Sequence, residues 1–115
     1  MPRNVIDAVQ GTLDFMILKT LSWGEMHGYA IASWIKAATE EELQIEEGTL
    51  YPALHRLEDR GLIEAAWGLS DNNRRAKFYR LTTAGKKDLR ARTADWHRYA
   101  RAVERVLTLR PGSVC

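Results

Sequence analysis

The spacing of apolar residues changes twice along this chain, and few folds satisfy both changes. Up to Gly61, apolar residues recur at three- and four-residue steps, the period of helices. From Ile63 to Trp67 the step is two, the period of a strand with one covered face. After Thr82 the helical step returns and runs to about Leu109. The order that follows is three helices, a hairpin and a long helix.

Each element carries its own signals. Val5, Val9, Leu13, Met16, Ile17 and Leu21 make one stripe of a first helix, while Phe15 and Leu18 lie on another side of it. A helix that is apolar on two sides must cover both. One side meets the domain core, and the second suggests a partner subunit. Trp23-Gly24 ends this helix and His27-Gly28 opens the next, with Ile31, Trp34, Ile35 and Ala38 as its inner stripe. Glu40-Glu41-Glu42 reads as a solvated connector. A third helix begins near Gly48-Thr49, buries Leu50, Leu54 and Leu57, and stops at Gly61. Ser70-Asp71-Asn72-Asn73 is a turn cluster before a return strand over residues 76–81. Thr82 or Thr83 can cap the last helix, which Arg110-Pro111-Gly112 terminates.

The fold class is therefore mainly α with a small β-hairpin. A winged helix-turn-helix occupies residues 1–82, a long C-terminal dimerisation helix residues 83–110, and a tail residues 111–115. In the last helix Leu89, Trp96 and Val103 stand seven apart, with Tyr99 and Val106 as a second row. Such a seam usually packs on another helix. Leu13, Phe15, Leu18, Leu89, Trp96, Tyr99, Val103 and Val106 are accordingly expected at the interface of a homodimer. Packing of the seam back onto the first helix is the plainer reading, and both can hold together.

Bulk properties narrow the class. With 115 residues the chain suits one domain. Its 45% hydrophobic and 28% charged residues are an ordinary globular balance. The single cysteine, Cys115, makes an internal disulfide impossible and fits a reducing compartment. No apolar run approaches the ~20 residues that span a bilayer, and no signal-peptide core is evident. A cytoplasmic protein without a membrane partner is expected.

The formal net charge of +2 hides a strong asymmetry. Residues 63–92 hold eight basic residues against three acids, a net of +5, whereas residues 40–60 hold seven acids against two arginines, a net of −5. A basic wing tip at Arg74, Arg75 and Lys77 would meet phosphates or enter the minor groove of DNA. A solvated turn is the plainer account of such a tip; beside a helix-turn-helix pattern, DNA is favoured. The second helix of that motif enters the major groove. Its stripe of Leu50, Leu54 and Leu57 turns Gly48, Pro52, His55 and Asp59 outward, with Tyr51 and Arg56 on the flanks. Thr49, Tyr51, Pro52, His55 and Arg56 are thus the candidate base readers. Tyr51, beside the core stripe, also reads as a half-buried packing residue.

Enzyme chemistry finds little support. There is no glycine-rich phosphate loop, and His27, His55 and His97 have no metal-ligand spacing with one another or with Cys115. No catalytic residue, cofactor or metal is expected. A winged helix that serves only as a protein-interaction module is the competing reading. The basic wing counts against it, since such a module has no need of one.

Residues 48–58, Gly-Thr-Leu-Tyr-Pro-Ala-Leu-His-Arg-Leu-Glu, followed by Gly61-Leu62-Ile63, carry a specific likeness. With His27-Gly28-Tyr29 and Ile31, Tyr79-Arg80-Leu81-Thr82, and Gly85, the chain resembles the PadR family of transcription regulators over nearly its whole length. The short tail after the hairpin is similar to the subgroup with a single C-terminal helix. The resemblance implies a sequence-specific repressor that binds pseudo-palindromic operator DNA as a homodimer. It maps the recognition-helix tyrosine to Tyr51 and the basic wing to Asn73, Arg74, Arg75 and Lys77. It places the start of the second helix, His27, Gly28 and Tyr29, near the DNA backbone. Some relatives sense flat aromatic drugs at a dimer tryptophan. Trp96, with Phe15 and Tyr99, is the corresponding candidate site for a small aromatic effector. Simple interface packing is the plainer role for Trp96.

Overall fold

The computed structural model describes residues 12–113. Val5, Val9 and Cys115 lie outside the described residues. Helix α1 spans Leu13–Leu21, strand β1 Met26–His27 and helix α2 Gly28–Ala38. Helix α3 spans Glu47–Asp59, followed by β2 (Ile63–Leu69), β3 (Arg75–Leu81) and α4 (Thr83–Thr108). A short 3-10 turn at Pro111–Ser113 closes the described chain. The three strands form one antiparallel sheet in the order β1-β3-β2. Among the described residues, four helices with a small winged sheet match the architecture that the apolar periods imply.

One strand escaped the sequence pattern. β1 is two residues long, too short for any alternation to show, and it exists because β3 offers a free edge. Met26 pairs with Tyr79 and His27 with Phe78.

The core places α1 at the centre. Leu13, Ile17, Leu18 and Leu21 are buried against Ile31, Ile35, Leu50, Leu54, Leu57, Ile63, Tyr79 and Leu89. This corrects three of the expected dimer contacts. Leu13 and Leu18 are fully buried within the single chain, and Leu89 nearly so, so they offer almost no surface to a partner. α1 is apolar on two sides because α2, α3, α4 and β3 of its own chain surround it. The stripe of α2 is also narrower than expected. Ile31 and Ile35 are buried, but Trp34 and Ala38 are exposed.

Local chemistry fixes the joints. Gly61, at φ +72, lets α3 end in a left-handed turn. There Gly61 N–H donates to the Glu58 carbonyl and Leu62 N–H to that of Leu57, while the Leu62 and Leu57 side chains share the core. Asn73, at φ 60, takes the same conformation in the hairpin turn, where asparagine is tolerated. Thr82 caps α4, since its hydroxyl accepts the Gly85 N–H at 3.0 Å. The same hydroxyl donates to the Gly61 carbonyl at 2.7 Å. One side chain therefore ties the end of α3, the foot of the hairpin and the start of α4. Gly85 is required there, because a Cβ would lie 1.9 Å from the Leu62 carbonyl oxygen.

α4 outruns the rest of the molecule. At 1.5 Å per residue its 26 residues extend about 39 Å. The radius of gyration is 16.6 Å, where about 13 Å is usual for a compact chain of 100 residues. Beyond Thr93 the helix is an arm, and it carries Tyr99, Val106 and Leu107 in the open, Val106 at 81% exposure.

Candidate nucleic-acid interface

A concave groove runs between the start of α2, the outer face of α3 and the hairpin wing. Three elements build it, and each is held by an identifiable contact.

At the start of α2, His27 is the N-cap. Its backbone is extended, and its Nδ1 accepts the Ala30 N–H at 3.2 Å. The imidazole fills the place usually taken by a serine or aspartate oxygen. With Nδ1 accepting, the neutral ring carries its proton on Nε2. The ring stands edge-on to Phe78 of β3 at 5.3 Å, so cap and wing brace each other. The positive end of α2 thus opens onto the groove beside Tyr29, which is exposed.

The α3 wall follows from its leucine stripe. Leu50, Ala53, Leu54 and Leu57 are buried, which leaves Pro52 and His55 in solvent. Tyr51 does two things. Its ring lies across Gly28, where a Cβ would come within 2.8 Å of the hydroxyl, yet the residue stays 42% exposed. Gly28 is therefore the residue that lets α3 and the start of α2 approach so closely. α3 starts at Glu47, one residue before the expected start, with Glu46 as its N-cap. Its first turn is acidic, so the basic character of the groove comes from the wing.

On the wing, Arg74 and Arg75 line the groove. Asn73 sits in the turn itself, where its N–H donates to the Ser70 carbonyl at 2.8 Å. Not every basic residue is free. Lys77 lies 3.5 Å from Glu58 of α3, and Arg56 is 3.0 Å from Asp14 of α1. These two expected DNA contacts hold α3 to the wing and to α1, and their charges are partly spent within the chain. Glu58 has a further effect. Burial first, then the Glu58 carboxylate and Tyr51, raise the Tyr79 phenol above its ordinary 10.0.

His27, Gly28, Tyr29, Tyr51, His55, Arg74, Arg75 and Lys77 thus line one groove. Thr49, Pro52, Arg56 and Asn73 lie outside its lining. Several lining residues were not expected, among them the aromatic Trp34 and Trp67. Trp67 shares its strand face with buried Ile63, and alternation alone cannot say where along a strand the cover ends. At 61% exposure it lies beyond that point.

A second cluster forms where α4 leaves the core. The Phe15 and Trp96 ring centroids are 5.8 Å apart, and those of Trp96 and Tyr99 6.2 Å, both pairs tilted. Trp96 remains 37% exposed. Among the described residues, no group of three or more His, Cys, Asp or Glu could hold a metal ion. No helix among them is long and apolar enough to cross a membrane.

Known proteins share this fold. The chain is 38% identical over 91 residues to an uncharacterised protein of Lysinibacillus sphaericus, covering 78% of this chain and 83% of that one. It is 32% identical over 84 residues to the negative transcriptional regulator PadR of Bacillus subtilis, covering 73% of this chain but 44% of that protein. The fold superposes on a transcriptional regulator from Clostridium thermocellum with a TM-score of 0.78 and 32% identity, over 86% of this chain and 96% of the other. The family described as transcriptional regulator PadR-like matches residues 17–91, the span that holds the groove, the foot of α4 and the core apart from Leu13. The chain belongs to the PadR-like family of transcriptional regulators, winged-helix proteins of DNA-binding regulation.

Proposed function

We propose that the chain is a repressor that binds a pseudo-palindromic operator as a symmetric homodimer. The groove carries this reading, because it joins an exposed face on α3, a helix N-terminus and a wing tip whose Arg74 and Arg75 have no carboxylate partner among the described residues. α3 lies in the major groove with Tyr51 and His55 toward base edges. The start of α2 and the wing hold phosphates on either side. The exposed arm of α4 supports the dimer. Trp96, Tyr99, Val103 and Val106 are partly or largely open, and complete burial of one exposed large apolar side chain gains roughly 1.5–3 kcal/mol. A two-fold axis through two such arms sets the half-sites about one DNA turn apart.

The Phe15–Trp96–Tyr99 cluster lies beside this arm and presents an open aromatic face to a flat aromatic effector. Such a ligand releases DNA if it prefers a dimer whose reading helices are wrongly spaced.

Titration of duplex DNA at several salt concentrations tests the reading. Affinity should fall steeply as salt rises. Arg74→Ala should lower the slope of log affinity against log salt by roughly one. Tyr51→Ala or His55→Ala should weaken operator binding by roughly 1–3 kcal/mol more than random-duplex binding. A wild-type protein with no affinity for duplex at low salt would leave the winged helix as a protein-interaction module.

A further inference from the structure

The wing carries two aromatic-cation pairs on one face. The register sets Trp67 opposite Lys77, Ala65 opposite Tyr79 and Leu69 opposite Arg75. Side chains two apart on a strand share a face, so Arg75, Lys77 and Tyr79 line up beside Leu69, Trp67 and Ala65. The Lys77 ammonium lies 5.8 Å from the Tyr79 ring centroid, and the Arg75 guanidinium 4.7 Å from that of Trp67. The two pairs differ in what surrounds them. Tyr79 is buried and Lys77 is bridged to Glu58, so the inner pair belongs to the packing of the wing on α3. Trp67 is largely exposed, and Arg75 has no carboxylate partner among the described residues.

We infer that Trp67 is a positioning residue for DNA binding, holding the Arg75 guanidinium flat against the wing with its N–H edge turned to a phosphate. The inference rests on the DNA-binding reading above and deepens it. Three observations support it. An exposed tryptophan near the tip of a hairpin covers no core of its own, and here its ring covers an arginine. Stacking occupies the face of a guanidinium and leaves its N–H edge free, the edge that binds phosphate oxygens in a plane. Arg75 and Trp67 both line the groove, so the held cation faces the ligand side of the wing. A free arginine side chain would lose rotamer freedom on binding, and one already stacked loses less. Arg74, its neighbour, has no such ring beside it among the described residues and serves as the internal comparison.

A double-mutant cycle on the full-length protein with random duplex at low salt tests this. Trp67→Ala should weaken binding roughly two- to fivefold and flatten the salt slope in the direction that Arg75→Ala does. The Trp67→Ala, Arg75→Ala double variant should bind like Arg75→Ala alone, and Trp67→Phe should keep most of the affinity. In an Arg74→Ala background, Trp67→Ala should still have its full effect. Circular dichroism of each variant shows that the hairpin has folded. Equal losses from Trp67→Ala with and without Arg75 would overturn the inference and make Trp67 a direct contact. Unchanged affinity in folded Trp67→Ala would overturn it as well. If the wild-type protein bound no duplex, the DNA-binding reading would fail first, a result distinct from either.

Discussion

The two halves of α4 carry the same apolar step in different surroundings. In the first half Gly85 and Leu89 are buried, and Asp88 lies 2.7 Å from Arg92 and 4.0 Å from Arg60 of the α3 end. In the second half Tyr99, Val106 and Leu107 face solvent, and the ion pair of Asp95 with Arg98 is local and exposed. A seven-residue apolar repeat states that a helix face must be covered, and it does not say by which chain. The number of elements left to cover it decides that. α1 reaches as far as Trp96 through Phe15, and beyond that contact no other helix or strand covers the arm among the described residues.

The largest effect should come from breaking the covered half. Gly85→Ala places a methyl group against a backbone carbonyl that cannot step aside. A loss of about 3 kcal/mol or more is expected, read from thermal unfolding by circular dichroism. A melting temperature within a few degrees of the wild type would mean that the two halves are equally tolerant.

The uncovered half should break without the core. Sedimentation of the wild type at micromolar concentration should show a dimer. Val103→Asp with Val106→Asp should show a monomer whose core stays folded while helix content falls, since an isolated helical arm is marginal in water. A dimer that survives both substitutions would place the interface elsewhere.

At the border between the halves, Trp96→Ala removes the contact with Phe15, for a loss of roughly 1 kcal/mol. The same variant sharpens the effector reading. Flat aromatic compounds that quench wild-type tryptophan fluorescence should leave Trp96→Ala unquenched, although Trp23, Trp34 and Trp67 still emit. Quenching that persists in the variant puts the ligand at another tryptophan.

The smallest effect is alkaline and reports on the core alone. Tyr79 has a raised pKa, so the folded chain holds its phenolic proton more tightly than the unfolded chain does. That contribution is complete below about pH 10 and is lost as pH climbs through the folded value. Tyr79→Phe should make the decline in denaturant midpoint above about pH 10 shallower than in the wild type. An unchanged alkaline profile would assign the decline to other groups.

Much of this architecture was legible because its causes are local. The glycine stop at Gly61, the turn at residues 70–73 and the Thr82 cap each depend on a few adjacent residues. What escaped depends on distant ones. β1 is a strand because of β3, some fifty residues later. Arg56 is occupied by Asp14, 42 positions away. Leu13 and Leu18 were expected at a subunit interface because a helix period cannot show how many neighbours a helix has. The groove was half legible. Periodicity turned His55 outward and placed Tyr51 beside the core stripe, but it put Trp34 inside, and the stacking of Arg75 on Trp67 needed the strand register.

The Thr82 hydroxyl gives this division a mechanical side. It sits where the end of α3, the foot of the wing and the start of a helix about 39 Å long converge. With that point as fulcrum, α4 is a lever that lies wholly on one side of it. A rotation of about 5° there would sweep the far end through about 3 Å. Two such levers joined at their far ends would be geared to each other. Play of a few degrees at each fulcrum would appear as ångströms in the separation of the two winged domains.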